Sequence, residues 1–374
     1  RLTDQFMEAV EADGEWSLTA RTDGSVLKRY SAKALFRQLA EAAWECADPG
    51  IQFTSTIDRW HTAPNTGPIT ASNPCSEYLH LDNSACNLAS LNLLTFLDAE
   101  RGDRFDIEGF AQAVQIVFTA QDILVGNADY PTQPIAETSR DFRQLGLGYT
   151  NLGAMLMALG LPYDSDAGRA WAGAITALMS GAAYATSADL AHRAGAFAGY
   201  ASNSEPMQRV LGMHRDALAT VSEDAPRDVV MKAQEFWDKA VSQCEIHGVR
   251  NSQATVIAPT GTISFMMDCD TTGIEPDLSL VKFKKLVGGG DLTIVNQTVG
   301  RALSRMGYDS QQIEEIEDFL LTGGSITEAP HVKKSDLPVF ACSMGDNVIH
   351  HEGCLLYTSP SPRDRTRSRM PSSA

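Results

Sequence analysis

The 374-residue sequence has no apolar run approaching the ~18 residues that a membrane-spanning helix requires. Basic residues are in deficit. Thirty Lys and Arg stand against 47 Asp and Glu, a net charge of −17. Bulk electrostatics then oppose nucleic acid or an anionic membrane as partner. A local pocket can still take a nucleotide. Cysteines are few: Cys46, Cys75, Cys86, Cys244, Cys269, Cys342 and Cys354, with no C-x-x-C spacing. The odd number and thin spread exclude a disulfide scaffold and a structural zinc site, and fit thiols in a reducing cytoplasm. No H-E-x-x-H pattern occurs, only the adjacent His350-His351-Glu352, so no metal ligand set is expected. No Gly-Lys-Ser/Thr phosphate loop occurs either. Gly146 and Gly148 begin a dinucleotide fingerprint, but Asn151 stands where its third glycine belongs, so that site is rejected.

Hydrophobic residues make up 43% and charged residues 21%, enough apolar material for a large core. Leu35, Phe36, Leu39, Ala40, Ala43 and Trp44 recur at helical spacing after Ser31, a candidate N-cap, and Asp48-Pro49-Gly50 stops the pattern. Further helices are expected over 107–126, 169–194, 225–247 and 313–321. Cys46 and Cys244 fall on such helices and read as core. Ala254–Ala258 is a short β-branched run that reads as a strand running into a loop, and Gly288–Gly290 reads as a loop. Long helices with short buried strands indicate parallel α/β architecture.

The two ends differ from the rest. The sequence starts at Arg1 rather than Met, as an internal fragment would. Residues 355–374 carry five Ser, three Pro, four Arg and two Thr with no period. They read as a disordered, non-native tail, such as a translated cloning scar.

Two segments carry chemistry. In Asn73-Pro74-Cys75-Ser76-Glu77-Tyr78, an amide, a thiol and a carboxylate alternate. Asn73-Pro74 is a turn or loop signal, and where the chain is extended, alternate residues share one side. A thiol that can supply a hydrogen atom or a nucleophile, a carboxylate base and an orienting amide would then converge on one small substrate. Cys86 follows eleven residues later. The second segment is Pro259-Thr260-Gly261-Thr262-Ile263, a loop whose amides and hydroxyls could surround a phosphate. An ordinary strand-to-helix turn would look similar.

Asn-Pro-Cys-Ser-Glu-Tyr, Ser-Ala-Cys-Asn-Leu-Ala-Ser-Leu-Asn-Leu and Ala-Pro-Thr-Gly-Thr-Ile-Ser-Phe-Met-Met-Asp-Cys-Asp-Thr-Thr-Gly-Ile-Glu-Pro together resemble the large catalytic chain of ribonucleotide reductases. Pro74 and Tyr78 favour the adenosylcobalamin-dependent class II branch. The resemblance covers roughly residues 3–338. It implies an α/β fold, the second half of a ten-stranded barrel with a central finger loop, over residues 1–354. It implies that Cys75 becomes a thiyl radical that removes the ribose 3′ hydrogen. Glu77 would take the 3′-hydroxyl proton, and Asn73 would bind the substrate. Cys86 would be one member of the redox pair. Pro74 and Ser76 would line the substrate beside Asn73, Cys75 and Glu77, and Pro259, Thr260, Gly261, Thr262 and Ile263 would hold its phosphates. Adenosylcobalamin is the implied cofactor. The implied partners are a ribonucleotide, a dithiol reductant such as thioredoxin, and a second copy when the protein is complete. Cys269 reads as a structural thiol nearby, and Glu275 as a residue that could line the same cavity. Asn73, Cys75 and Glu77 are expected close to the 259–263 loop.

Two departures accompany the resemblance. The family's other redox cysteine lies well upstream of the finger loop, and Cys46 is a poor candidate for it. The final barrel strands would follow where the basic tail stands. The alternatives are a nucleotide-binding fragment without turnover, or the catalytic chain of the two-subunit class I enzyme. A radical-relaying tyrosine pair would mark the latter.

Overall fold

The computed structural model describes residues 1–98, 104–285 and 291–358. The chain divides into two compact units, Arg1–Asp82 and the part from Asn83 onward. The division lies inside the 1–354 span expected as one portion of a barrel.

The first unit opens with α1 (Asp4–Glu11), capped by Thr3, whose hydroxyl accepts the Phe6 N–H at 3.2 Å. β1 (Glu15–Thr19) and β2 (Val26–Ser31) form an antiparallel hairpin. α2 (Ala32–Cys46) and α3 (Thr54–Arg59) follow. Ser31 caps α2 as expected, accepting the Ala34 N–H at 3.2 Å, and Ala47 ends the helix in the left-handed region. The apolar stripe is covered only in part. Leu35, Phe36 and Leu39 are half-buried, whereas Trp44 is 87% exposed. Cys46, expected in the core, is exposed. The reason is length. α1 packs against α2, but its 8 residues span about 12 Å against about 22 Å for the 15 of α2.

The second unit begins with β3 (Asn87–Asn92), β4 (Leu97–Asp98), β5 (Arg104–Phe105), α4 (Ile107–Asn127) and α5 (Gln133–Phe142). Next come β6 (Leu145–Thr150), α6 (Leu152–Ala158), α7 (Asp166–Ala194), α8 (Tyr200–Ala217) and α9 (Arg227–His247). β7 (Val281–Lys285), β8 (Asp291–Val295), α10 (Thr298–Arg305), α11 (Ser310–Leu321) and α12 (His351–Thr358) complete it. The helices expected over 107–126, 169–194, 225–247 and 313–321 are thus present. α7 is rich in Ala and Gly, which lets α9 approach closely. A Cβ on Gly181 would come within 3.0 Å of the Trp237 ring, which is buried and donates from Nε1 to Ala177 O at 3.0 Å. Cys244 on α9 is buried, as expected.

β3 and β6 pair in parallel with Leu88 opposite Gly146, Ser90 opposite Gly148 and Asn92 opposite Thr150. Leu145, Leu147 and Tyr149 are fully buried on one face of β6, and the Tyr149 hydroxyl meets that of Thr176 on α7 at 2.9 Å. The opposite face carries Gly146, Gly148 and Thr150. The strand expected over 254–258 contracts to one bridge, Leu147 to Thr255. Leu147 N–H donates to Ala254 O at 3.0 Å and Val256 N–H to Leu147 O at 3.1 Å. Pro259 has no N–H for a ladder, and Thr260 lies at φ +46°, so pairing stops there.

Among the described residues the strands pair only in twos, within a helix-rich α/β chain. No closed barrel is formed by those pairs. Gly288–Gly290 and 359–374 lie outside the described residues. The packed chain does extend past 354. Tyr357 on α12 is buried, with its ring 4.3 Å from that of Tyr163. Of the Leu-Leu-Tyr start of the basic tail, Tyr357 alone is buried, while Leu355 and Leu356 are exposed. Among the described residues no helix is long and apolar enough to cross a membrane.

Candidate functional site

In the first unit, Asn73–Tyr78 is a tight turn, in line with the Asn73-Pro74 turn signal and not with the extended geometry that the alternation requires. Asn73 closes it. Its side-chain Oδ1 accepts the Tyr78 N–H at 2.9 Å, its carbonyl accepts the Ser76 N–H at 3.1 Å, and its own N–H donates to Tyr78 O at 3.3 Å. Ser76 reverses the chain at φ +63°. An Asn side chain is short enough to mimic a backbone turn, which overrides the alternation of an extended strand. Gln52 Nε2 donates to the hydroxyls of Ser72 and Ser76 and ties the turn to the unit.

Cys75 is therefore presented at the apex of this turn, exposed together with Pro74 and Ser76. Glu77 is half-buried. Its Oε2 is buried with no hydrogen-bond partner among the described residues. A buried, unsatisfied carboxylate oxygen is costly and calls for an explanation. Below the turn, the Tyr78 ring stacks on His80 at 6.4 Å, and His80 meets His61 edge-on at 6.1 Å. Burial pushes the His80 imidazole down to about 3, and the neighbouring His61 adds to the shift. His61 is lowered by burial as well. It accepts the Ala63 N–H at Nδ1 (3.2 Å), so Nε2 donates to Gly67 O (2.8 Å). Both imidazoles are neutral packing groups at neutral pH.

In the second unit, the Gly face of β6 and the matching face of β3 build one surface. Cys86, half-buried, stands just before β3. A Cβ on Gly146 would meet its Sγ at 3.0 Å, so the missing side chain leaves room for the thiol. Ser90 follows four residues along, roughly 13 Å at strand rise. Its hydroxyl lies 2.9 Å from that of Thr260. The Thr260 hydroxyl donates to Ala258 O at 3.2 Å, so Ser90 is the donor between the two. Thr260 is buried, and left-handed backbone in a β-branched residue costs about 1–3 kcal/mol. Gly148 and Gly273 make the loop possible. A Cβ on Gly148 would lie 2.5 Å from Val256 O, and one on Gly273 would lie 2.8 Å from Ala258 O and 2.9 Å from Pro259 O.

Gly261, Thr262 and Ile263 are exposed. Among the described residues, the Gly261 and Thr262 amides donate to no protein acceptor. Ser264 anchors the far side through its hydroxyl to Gly261 O at 2.6 Å. Behind the loop, Asn92 Nδ2 donates to Met267 O at 3.0 Å, Asn151 Nδ2 donates to Asn92 Oδ1 at 2.9 Å, and Asn151 Oδ1 accepts the Thr271 N–H at 3.0 Å. Burial pushes the Cys269 thiol up to about 11, which keeps it protonated at neutral pH. Glu275 lines a cleft of about 450 Å³ with Pro276, Ser343, Ile349 and His351. No disulfide joins any of the seven cysteines.

The structure thus brings Asn73, Cys75 and Glu77 onto one turn, and sets Cys86 and residues 259–263 along one strand-pair surface. These two groups belong to different units. Ser90 and Gly273 were not singled out by sequence, and Gly148 stood out only as part of the rejected dinucleotide fingerprint. A period-2 count from Cys86, which runs through Leu88 and Ser90 to Asn92, would have found Ser90.

Comparison with known proteins decides the family. The family model described as "Ribonucleotide reductase, barrel domain" matches residues 1–355. The chain belongs to the ribonucleotide reductase family. It is 53% identical over 357 residues to a vitamin B12-dependent ribonucleotide reductase of Streptomyces avermitilis, covering 94% of this chain and 37% of that protein. A Streptomyces clavuligerus protein of the same name shows the same identity and the same coverage of both chains. One from Rhodopirellula baltica is 52% identical, over 92% of this chain and 33% of that protein. The chain therefore spans about a third of the length of these curated relatives.

Proposed function

We propose that this chain forms part of the catalytic barrel of a cobalamin-dependent ribonucleotide reductase, which converts ribonucleotides to 2′-deoxyribonucleotides. The observation that carries the reading is the turn at 73–77, with an exposed thiol two residues from a carboxylate whose buried oxygen has no partner among the described residues. A substrate hydroxyl would supply that partner. Cys75, as a thiyl radical, takes the ribose 3′ hydrogen and returns it after reduction. Glu77 accepts the 3′-hydroxyl proton. Asn73 uses its Oδ1 to close the turn, which leaves its amide N–H groups to orient the substrate. Cys86 and a second thiol give up two electrons and become a disulfide as the 2′ hydroxyl leaves as water. A dithiol such as thioredoxin restores the pair. The phosphates lie on the Pro259–Ile263 loop, where the Gly261 and Thr262 amides can donate. The β3–β6 pair would belong to the second half of a ten-stranded barrel, in a cytoplasmic protein that is dimeric when complete.

The cobalamin named for the relatives needs an accessible thiol and a broad apolar surface. Cys75 is exposed, and Ile263, Phe265 and Met266 are 57%, 73% and 90% exposed, so residues of both kinds are available. Phe265 and Met266 would pack against the corrin. When bound, the cobalamin supplies the one-electron chemistry that generates the cysteine radical.

The test uses the full-length protein. Cys75→Ser should abolish deoxynucleotide formation and also hydrogen exchange between the adenosyl 5′ carbon and solvent. Cys86→Ser should keep exchange and lose sustained turnover. Equal exchange in the two variants would contradict the assignment. Turnover without cobalamin, supported by a di-metal partner subunit, would show the class I reading instead.

A further inference from the structure

We infer that Ser90 is a positioning residue for the phosphate loop, acting through the left-handed conformation of Thr260. This rests on the reading that residues 259–263 bind the substrate phosphates. The loop enters from Val256 and Ala258, whose backbone runs against Gly148 and Gly273 with no room for a side chain on either. That contact fixes where Pro259 begins. It does not fix which way the chain turns next. The turn is made by Thr260 at φ +46°, a conformation that a threonine does not hold unaided. Two hydrogen bonds hold it: from its hydroxyl to Ala258 O at 3.2 Å, and to its hydroxyl from Ser90 at 2.9 Å. The second reaches 170 residues back along the chain to β3. Removing the Ser90 hydroxyl frees Thr260 to return to extended backbone, and the Gly261 and Thr262 amides swing away with it.

Ser90 touches no substrate in this account, so its loss should appear in phosphate affinity and not in ribose chemistry. In the full-length protein, Ser90→Ala should bind a ribonucleotide about tenfold more weakly, about 1.4 kcal/mol. Affinity for the ribonucleoside without phosphates should change less than about twofold. Ser90→Thr keeps a hydroxyl on the strand and should recover most of the loss. Thr260→Gly removes both the strain and the acceptor, so Ser90→Ala added to it should have no further effect.

Hydrogen exchange at Gly261 and Thr262, with and without ribonucleotide, separates the two ways of failing. No protection by ribonucleotide in the unaltered protein overturns the phosphate-loop reading, and this inference with it. Protection in the unaltered protein, equally strong in Ser90→Ala and with equal affinity, overturns the role of Ser90 alone. A full tenfold loss from Ser90→Ala in the Thr260→Gly background overturns it too, because the effect would then not pass through Thr260.

Discussion

Ser76 and Thr260 both sit in left-handed backbone, at φ +63° and +46°, and each turns a loop of the proposed site. Their supports differ in range. The Cys75 turn is closed by its own residues, Asn73 and Tyr78, with help from Gln52. The Thr260 loop is held by residues far away in sequence: Ser90 on β3, Gly148 on β6, and Gly273. A self-closing turn can carry an exposed thiol and still yield locally, as functional loops do. A loop anchored in a packed strand pair inherits the stiffness of the core. The lesson is that positions remote from the chemistry should govern the second loop, and neighbours the first.

The largest effect expected from this contrast is at Gly148. A Cβ there would stand 2.5 Å from Val256 O, and a backbone atom between strands has little freedom to retreat. Gly148→Ala should destabilise the second unit by about 3 kcal/mol, the upper range for overpacking. Urea unfolding, followed at the buried Trp237, measures it. A loss below about 0.5 kcal/mol would mean that the loop moves freely and that the contrast between the loops is wrong.

A second effect is a pH dependence of the first unit. His80 is fully buried in the first unit, with its imidazole pushed down to about 3 by burial and then by His61. The folded state disfavours the proton that the unfolded chain takes near 6.5. The contribution is therefore present above pH 6.5 and lost as pH falls towards 3. By pH 5 the first unit should lose about 2 kcal/mol through His80. Hydrogen exchange of amides near His80, corrected for intrinsic rates between pH 7 and pH 5, reads this directly. His80→Gln should flatten the profile. An unchanged slope in that variant would remove His80 as the cause.

Much of this was legible in the sequence, for local reasons. Ser31 followed by an apolar period predicts α2, because a cap and a 3.6-residue repeat are short-range properties. The Cys75 and Thr260 motifs could be found because their residue types cluster in sequence. What was not legible depends on distant partners or on a turn that overrides the period of its own segment. Trp44 and Cys46 read as core on periodicity, but the helix that covers them is too short. The 254–258 run has β-branched residues, yet it pairs at one bridge because Pro259 and Thr260 end the ladder. Asn73-x-Cys75-x-Glu77 alternates as a strand would, and folds instead into a turn closed by the first of its own members. Ser90 is an ordinary strand serine until Thr260 is placed beside it.

The smallest effect separates two duties of Asn73. Its Oδ1 holds the Tyr78 N–H at 2.9 Å, while its Nδ2 hydrogens are the donors proposed for the substrate. Asn73→Asp keeps an acceptor oxygen and removes those donors. Asn73→Ala removes both. A single hydrogen bond closing an exposed turn is worth about 1 kcal/mol. The Tyr78 amide should then exchange about fivefold faster in Asn73→Ala and within about twofold of the unaltered rate in Asn73→Asp. Substrate affinity should fall in both variants. If Asn73→Asp frees the Tyr78 amide as fully as Asn73→Ala, the acceptor is not the group that closes the turn. If Asn73→Asp keeps full substrate affinity, the Nδ2 donors have no part in binding. Either result would leave Cys75 presented by a turn with a single local purpose.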